Sequence, residues 1–312
     1  MNVSAKSALG ELRAPRVQWS AFVPVLLCAL LAAVAQWVPD GVENESHAPF
    51  IALLALLGAI GVIERRKQSA RDILTLVVVL LGAWEIATAK AATSVHFLFP
   101  TPEMVLHVYL TDYAQIGKNI ATTSLFLLCG FISGVAAATL LGIIVGWSVR
   151  AKKILLPIVK VLTPIPPLIY TPYLIVLMPS FFWASVAIIF LSVFWGIFLS
   201  MIFAVSGMDQ KLIDMATTLN VNRAQLYFHI LLPYCLPHAM DRLQQAITAA
   251  FMVLFNAEMI GNAFSGVGWY IAWNARFADY TKVVAGIFIA GVFVVLLKSI
   301  LRRARSAVVR WR

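Results

Sequence analysis

Apolar and polar residues fall in long blocks along this chain. Eight runs are apolar over the roughly 20 residues a helix needs to cross a bilayer, or nearly so. They lie at approximately 20–38, 49–63, 73–89, 123–148, 161–178, 183–205, 243–262 and 281–300. The second is short and the fifth is interrupted by prolines. The pattern predicts an all-α integral membrane protein with about eight transmembrane helices. Between the third and fourth runs, Pro100 and Pro102 open a stretch too polar to cross. There Met104, His107, Val108 and residues 110–113 suit a helix lying along the outer surface, the alternative being an ordinary outer loop.

Composition agrees with the pattern. Hydrophobic residues make up 61% of the 312 and charged residues 12%, against about 25% charged in soluble domains. The net charge of +10 is informative through its placement. With the N-terminus in the cytosol and alternating spans, 20 of the 24 Lys and Arg residues fall inside. Lys90, Lys118, Arg276 and Lys282 remain outside. This bias fits the positive-inside rule and predicts cytosolic N- and C-termini. The base then reports orientation and contact with membrane lipid, and nucleic acid is not needed to explain it. Ala33-Val34-Ala35 resembles a signal-peptidase site, but an uncleaved first span is the expectation. Cys28, Cys129 and Cys235 have no paired spacing, so neither a disulfide frame nor a metal site is indicated.

Three features inside the runs single out particular segments. Gly130, Gly134, Gly142 and Gly146 form two Gly-x-x-x-Gly pairs, which let helix backbones approach in lipid. Five prolines fall between Thr163 and Pro179, and irregular backbone at membrane depth survives only where protein buries it or a wet cavity is lined. Thr163, Pro164, Pro166, Pro167, Tyr170, Thr171 and Tyr173 are therefore placed beside a conducting path, a packed structural kink being the alternative. Glu85 and Glu258 are carboxylates within apolar runs and are candidates by default, with Asn256 beside the latter; interfacial placement or satisfied packing is the bland reading.

The most informative segment is a polar island at 206–242. Ser206 or Asp209 can cap a helix running to Leu219, with Met208, Leu212, Met215 and Leu219 on one stripe and Lys211 and Asp214 near its flanks. Asn220 sits where a left-handed turn commonly stops a helix. Asn222 to Gln225 has capping-box spacing for a second helix, with Leu226, Tyr227, Ile230 and Leu231 as apolar positions. Pro233 and Pro237 are expected to end that helix before the seventh span. The island is read either as a gripping surface for a cytosolic partner or as an amphipathic hairpin on the membrane.

The island resembles the cytosolic loop of binding-protein-dependent ABC importer permeases, patterned Glu-Ala-Ala, three residues, Gly, nine residues, Ile-x-Leu-Pro. Here Asp214-Met215-Ala216, Asn220 and Ile230-Leu231-Leu232-Pro233 match in spacing, with Asp for Glu, Met for Ala and Asn for Gly. FPTPEMV (99–105), LTPIPPLIYTPYLIV (162–176), NAEMIG (256–261) and SGVGWYI (265–271) are similar to the nitrate/sulfonate/taurine/bicarbonate branch. The resemblance covers about 73–312. It implies a six-helix type I permease core there and a two-span N-terminal extension at 1–72. It also implies a bacterial inner-membrane permease homodimer (or heterodimer) with ABC ATPase subunits beneath and an external solute-binding protein. ATP and Mg would belong to the ATPase, and this chain has no phosphate-binding Gly-x-x-x-x-Gly-Lys-Ser/Thr loop. The coupling residues so implied are Met208, Lys211, Leu212, Asp214, Met215, Ala216, Leu219, Asn220, Arg223, Ile230, Leu232 and Pro233. A stand-alone ion-coupled carrier is the rival expectation, and an enzyme is not expected.

Overall fold

The computed structural model describes residues 22–38, 46–64, 67–90, 98–219, 221–261 and 264–308. Every regular element among them is helical. Among the described residues, five helices are long and apolar enough to cross a membrane: Gln68–Lys90, Tyr113–Trp147, Phe181–Ser206, Arg223–Ile260 and Tyr280–Ser306. A bent pair, Val149–Leu162 with Pro167–Leu177, makes a sixth if taken as one span. The first two apolar runs form helices of only 15 and 16 residues. The described parts of the eight runs are helical apart from a break at 163–166 in the fifth, but length and composition qualify fewer than eight as spans.

The chain divides into two compact units at Thr111/Asp112. The first holds α1 (Val23–Trp37), α2 (Ala48–Ile63), α3 (Gln68–Glu85, extended by a π turn to Lys90) and α4 (Pro102–Thr111). Cys28, Leu31, Ala35, Phe50, Leu54 and Val78 form its apolar core. Two polar links cross it. Lys90 Nζ donates to the Ala35 and Val38 carbonyls at 3.2 and 2.8 Å, satisfying the open end of α1. It also lies 3.9 Å from the fully buried Glu85. His47 Nδ1 is 3.3 Å from Glu103, whose side chain is almost wholly buried. The predicted surface helix is α4, and its buried face is Pro102, Glu103, Val105 and Val108.

The second unit is organised by α5 (Tyr113–Trp147), α8 (Phe181–Ser206) and α11 (Leu232–Ile260). Helices α5 and α8 are parallel, because successive glycines meet successive α8 residues in the same order. A Cβ on Gly130 would fall 2.6 Å from the Ile189 Cβ; on Gly142, 2.6 Å from the Met201 Cβ; on Gly146, 2.9 Å from the Val205 Cβ. The missing side chains are the space that α8 occupies. Leu127, Phe131, Ile143, Val193, Ile197 and Leu254 are among the residues sealing this core.

Parallel neighbours need a return connection, here α6 (Val149–Leu162) and α7 (Thr171–Leu177), bent by 82° at the prolines. Pro164, Pro166 and Pro167 lack N–H groups, and each disfavours helical backbone in the residue before it. Thr163 closes α6 by bonding the Val159 carbonyl through both its N–H and its hydroxyl. A 3-10 turn, Pro167–Tyr170, then leads into α7.

One expectation is corrected. Pro233 and Pro237 do not end a short helix, because Arg223–Ile260 is one continuous element. After a first turn, α10 (Arg223–Gln225), the backbone widens into a π turn at Leu226–Leu231 before α11 begins. A proline clashes with the carbonyl four residues upstream only in α register. The wider turn places Pro233 in the opening turn of α11, where its missing donor is not needed.

Candidate functional site

The polar island folds as a capped helix between two core helices. α8 closes at Ser206, whose hydroxyl donates to the Ile202 carbonyl and accepts Lys152 Nζ at 3.1 Å. Asp209 then caps α9 (Gln210–Thr218), its Oδ1 accepting the Lys211 N–H at 3.0 Å. Gln210 donates to Asp214 one turn on. The far end closes through Val221 N–H to the Ala216 carbonyl. Asn222 and Gln225 make the reciprocal capping box, at 2.8 and 3.1 Å. Side chains therefore cap the starts of α9 and α10, and a backbone bond closes the far end of α9.

The predicted stripe divides in two. Met208 is buried in the core, and Ile213 packs against it with Ala216 buried beside. Leu212, Met215 and Leu219 are 38, 58 and 70% exposed. The inward face seats the helix, leaving a row of apolar knobs pointing away. Lys211, Asp214 and Arg223 are exposed around it, Ile230, Leu232 and Pro233 are half-buried where the chain re-enters the core, and Asn220 lies outside the described residues.

A second constellation lies at the opposite end of α11. Glu258 is fully buried. Its Oε1 accepts the Thr123 hydroxyl at 2.8 Å, and its Oε2 accepts the Gly268 N–H at 2.8 Å. Thr123 Oγ1 in turn accepts the Val267 N–H at 2.9 Å. Asn119 Oδ1 accepts the Gly266 N–H at 3.0 Å and the Ser265 hydroxyl at 3.1 Å. The first amides of α12 (Val267–Arg276), whose N-cap Gly266 has no side chain, are thus capped from α5 and α11. The helix N-terminus favours the carboxylate there, offsetting part of the cost of burying it. Gly266 has φ +136°, and a Cβ would fall 2.5 Å from the Glu258 carboxyl carbon. A Cβ on Gly268 would fall 2.5 Å from the Phe255 carbonyl. The NAEMIG and SGVGWYI segments are two halves of one lock.

The broken segment, α8 and α11 meet at Leu174, Ile188, Val253 and Ala257, with Tyr170 packed beside them. Thr171 is fully buried, Tyr173 is exposed, and Asn256 is half-buried. Glu258 turns away from this group toward Thr123 and Gly268. Reasoning from sequence missed Asn119, Thr123, Ser265, Gly266 and Gly268; the paired glycines following a buried carboxylate were the available signal. Among the described residues no cluster of three His, Cys, Asp or Glu side chains could hold a metal.

A helical unit with several apolar helices of membrane-spanning length, a glycine-packed central pair and a proline-broken return has the make-up of a multi-pass membrane protein. The chain belongs to the binding-protein-dependent transport system inner membrane component family, whose model matches residues 138–310. It is 26% identical to the taurine transport system permease protein TauC of Escherichia coli, over 78% of this chain and 90% of that protein. It is 28% identical to a putative aliphatic sulfonates transport permease protein, SsuC, of Bacillus subtilis, over 80% and 90%. The nitrate import permease protein NrtB of Leptolyngbya laminosa is 26% identical, over 74% and 85%.

Proposed function

We propose that this chain is the transmembrane subunit of an ATP-driven importer, moving a small polar anion such as nitrate, a sulfonate, taurine or bicarbonate by alternating access. The observation that carries the reading is α9: capped at both ends, seated through Met208 and Ala216, and presenting Leu212, Met215 and Leu219 outward. Such a row of knobs suits a groove in a cytosolic ABC ATPase. Asp214 and Arg223 supply polar register, and Ile230, Leu232 and Pro233 tie the handle to α11. The ATPase carries ATP and Mg, an external binding protein delivers solute, and two permease copies pair in the inner membrane with their termini in the cytosol. In this reading all eight apolar runs cross, with residues 1–72 appended to a permease core at 73–312. The path runs beside Thr163–Pro167, Tyr170, Thr171, Tyr173 and Asn256. Glu258 serves it by fixing α12.

The test is a cross-link. Met215→Cys or Leu219→Cys is expected to join a cysteine in the ATPase groove, with a yield that changes on adding ATP. Cysteines at both positions that never reach a nucleotide-hydrolysing subunit would reject the reading.

A further inference from the structure

Beyond Gly261, at the end of α11 opposite the coupling helix, α12 carries an aromatic wall. Trp269 and Trp273 stack with centroids 5.5 Å apart and planes 25° apart, and Phe277 follows Trp273 at 5.1 Å. With Met259, Phe264 and Arg276 the two indoles line a pocket of about 240 Å³. Phe264, 88% exposed, also lines an adjoining pocket of about 570 Å³ that includes the hydroxyls of Thr122, Ser180 and Ser265.

Charge at this pocket is uncompensated. Arg276 is exposed and has no hydrogen-bond or ion-pair partner among the described residues, and neither indole N–H has one. The acids near this end of α12 are engaged elsewhere. Asp279 pairs with Lys282 at 3.5 Å, and Asp112 accepts the Tyr270 hydroxyl at 2.8 Å with Lys282 at 4.0 Å. Aromatic belts at membrane interfaces account for tryptophans near a helix end. They do not account for a concave, stacked wall with a free guanidinium at its rim.

We propose that this pocket is an entry site for a small organic anion, a sulfonate or carboxylate with a short apolar body. The guanidinium fork pairs with two oxygens of such a head group, and the indole N–H edges add donors. The apolar body lies against the ring faces. A bare inorganic anion gains nothing from those faces, whose negative potential opposes it. The inference rests on the permease reading and narrows its solute to the organic members of the class.

The probe is 3,3,3-trifluoropropane-1-sulfonate, followed by fluorine NMR line broadening on the full permease–ATPase complex in phosphatidylcholine nanodiscs. Saturable broadening is expected, with apparent affinity falling by about tenfold or more in Arg276→Gln, which removes the charged two-oxygen contact. Trp273→Leu is expected to weaken it without altering thermal stability, and equimolar nitrate to leave it in place. Undiminished broadening in both variants overturns the proposal, as does equal competition by nitrate. Displacement by phosphatidylglycerol in the disc would reassign the pocket to lipid head groups and also overturn it. An Arg276→Gln defect confined to activation by the external binding protein, with probe binding intact, overturns it in favour of a docking role. ATP-driven uptake measured alongside separates the two readings: a failed pocket with intact uptake removes this inference alone, and absent uptake in the wild type removes the permease reading.

Discussion

The Thr123 hydroxyl donates to Glu258 at 2.8 Å while accepting the Val267 N–H, joining α5 to α11 and α12 through one oxygen atom. Thr123→Val keeps the shape and removes both bonds. It leaves a buried carboxylate oxygen and a helix N-terminal amide unpaired, at about 1–3 kcal/mol for each group. The expected result is a lowered melting temperature of the purified permease, largely restored by Thr123→Ser. Glu258→Gln is expected to be milder than Glu258→Ala, since the amide still accepts one bond.

Gly266 has no tolerance of its own. Gly266→Ala places a methyl against the Glu258 carboxyl carbon and forces an L side chain into a positive-φ conformation. The cost is expected at about 1–3 kcal/mol from backbone strain alone. Pairing it with Glu258→Ala relieves the clash but leaves the strain. Thermal unfolding of the double variant should therefore show less than additive loss.

The α5–α8 seam makes a graded prediction. Gly142→Leu inserts a side chain where Met201 already sits, and overpacking of about 1–3 kcal/mol or more is expected, read as loss of monodisperse protein on size exclusion. Gly196, on α8, has nothing within 4 Å of a built Cβ. Gly196→Ala is expected to be neutral or to raise the melting temperature, since alanine is favoured over glycine within a helix by about 1 kcal/mol.

These sites differ in how far they could be read from the chain itself. Local patterns were legible: the apolar runs became helices, the Asn222–Gln225 spacing became a capping box, and the glycine pairs became a close helix contact. Which helix those glycines face was not legible, because a Gly-x-x-x-Gly pair states a distance of approach and names no partner. The lock around Glu258 was hidden for the same reason, its hydroxyl partner Thr123 being 135 residues away. Pro233 misled because a proline rule framed for α register does not foresee a π turn immediately upstream, while Pro237 sits inside α11 with no such turn to explain it. Met208 shared its period with Leu212 and Met215 but lies before α9 begins, so the core takes it.

The last prediction separates the handle from the body it moves. Leu219→Asp and Met215→Asp change exposed residues that touch no core, so the melting temperature of the isolated permease is expected to hold, within about 0.5 kcal/mol of stability. In the assembled complex the same changes put a charge into an apolar contact, where a central residue contributes about 2 kcal/mol or more. Solute-stimulated ATP hydrolysis is then expected to fall more than tenfold. Ala216→Asp differs in kind, because Ala216 is buried on the inward face, and it is expected to lower the melting temperature as well. If Leu219→Asp and Ala216→Asp behaved alike in both assays, the division of α9 into a seated face and a presented face would be wrong.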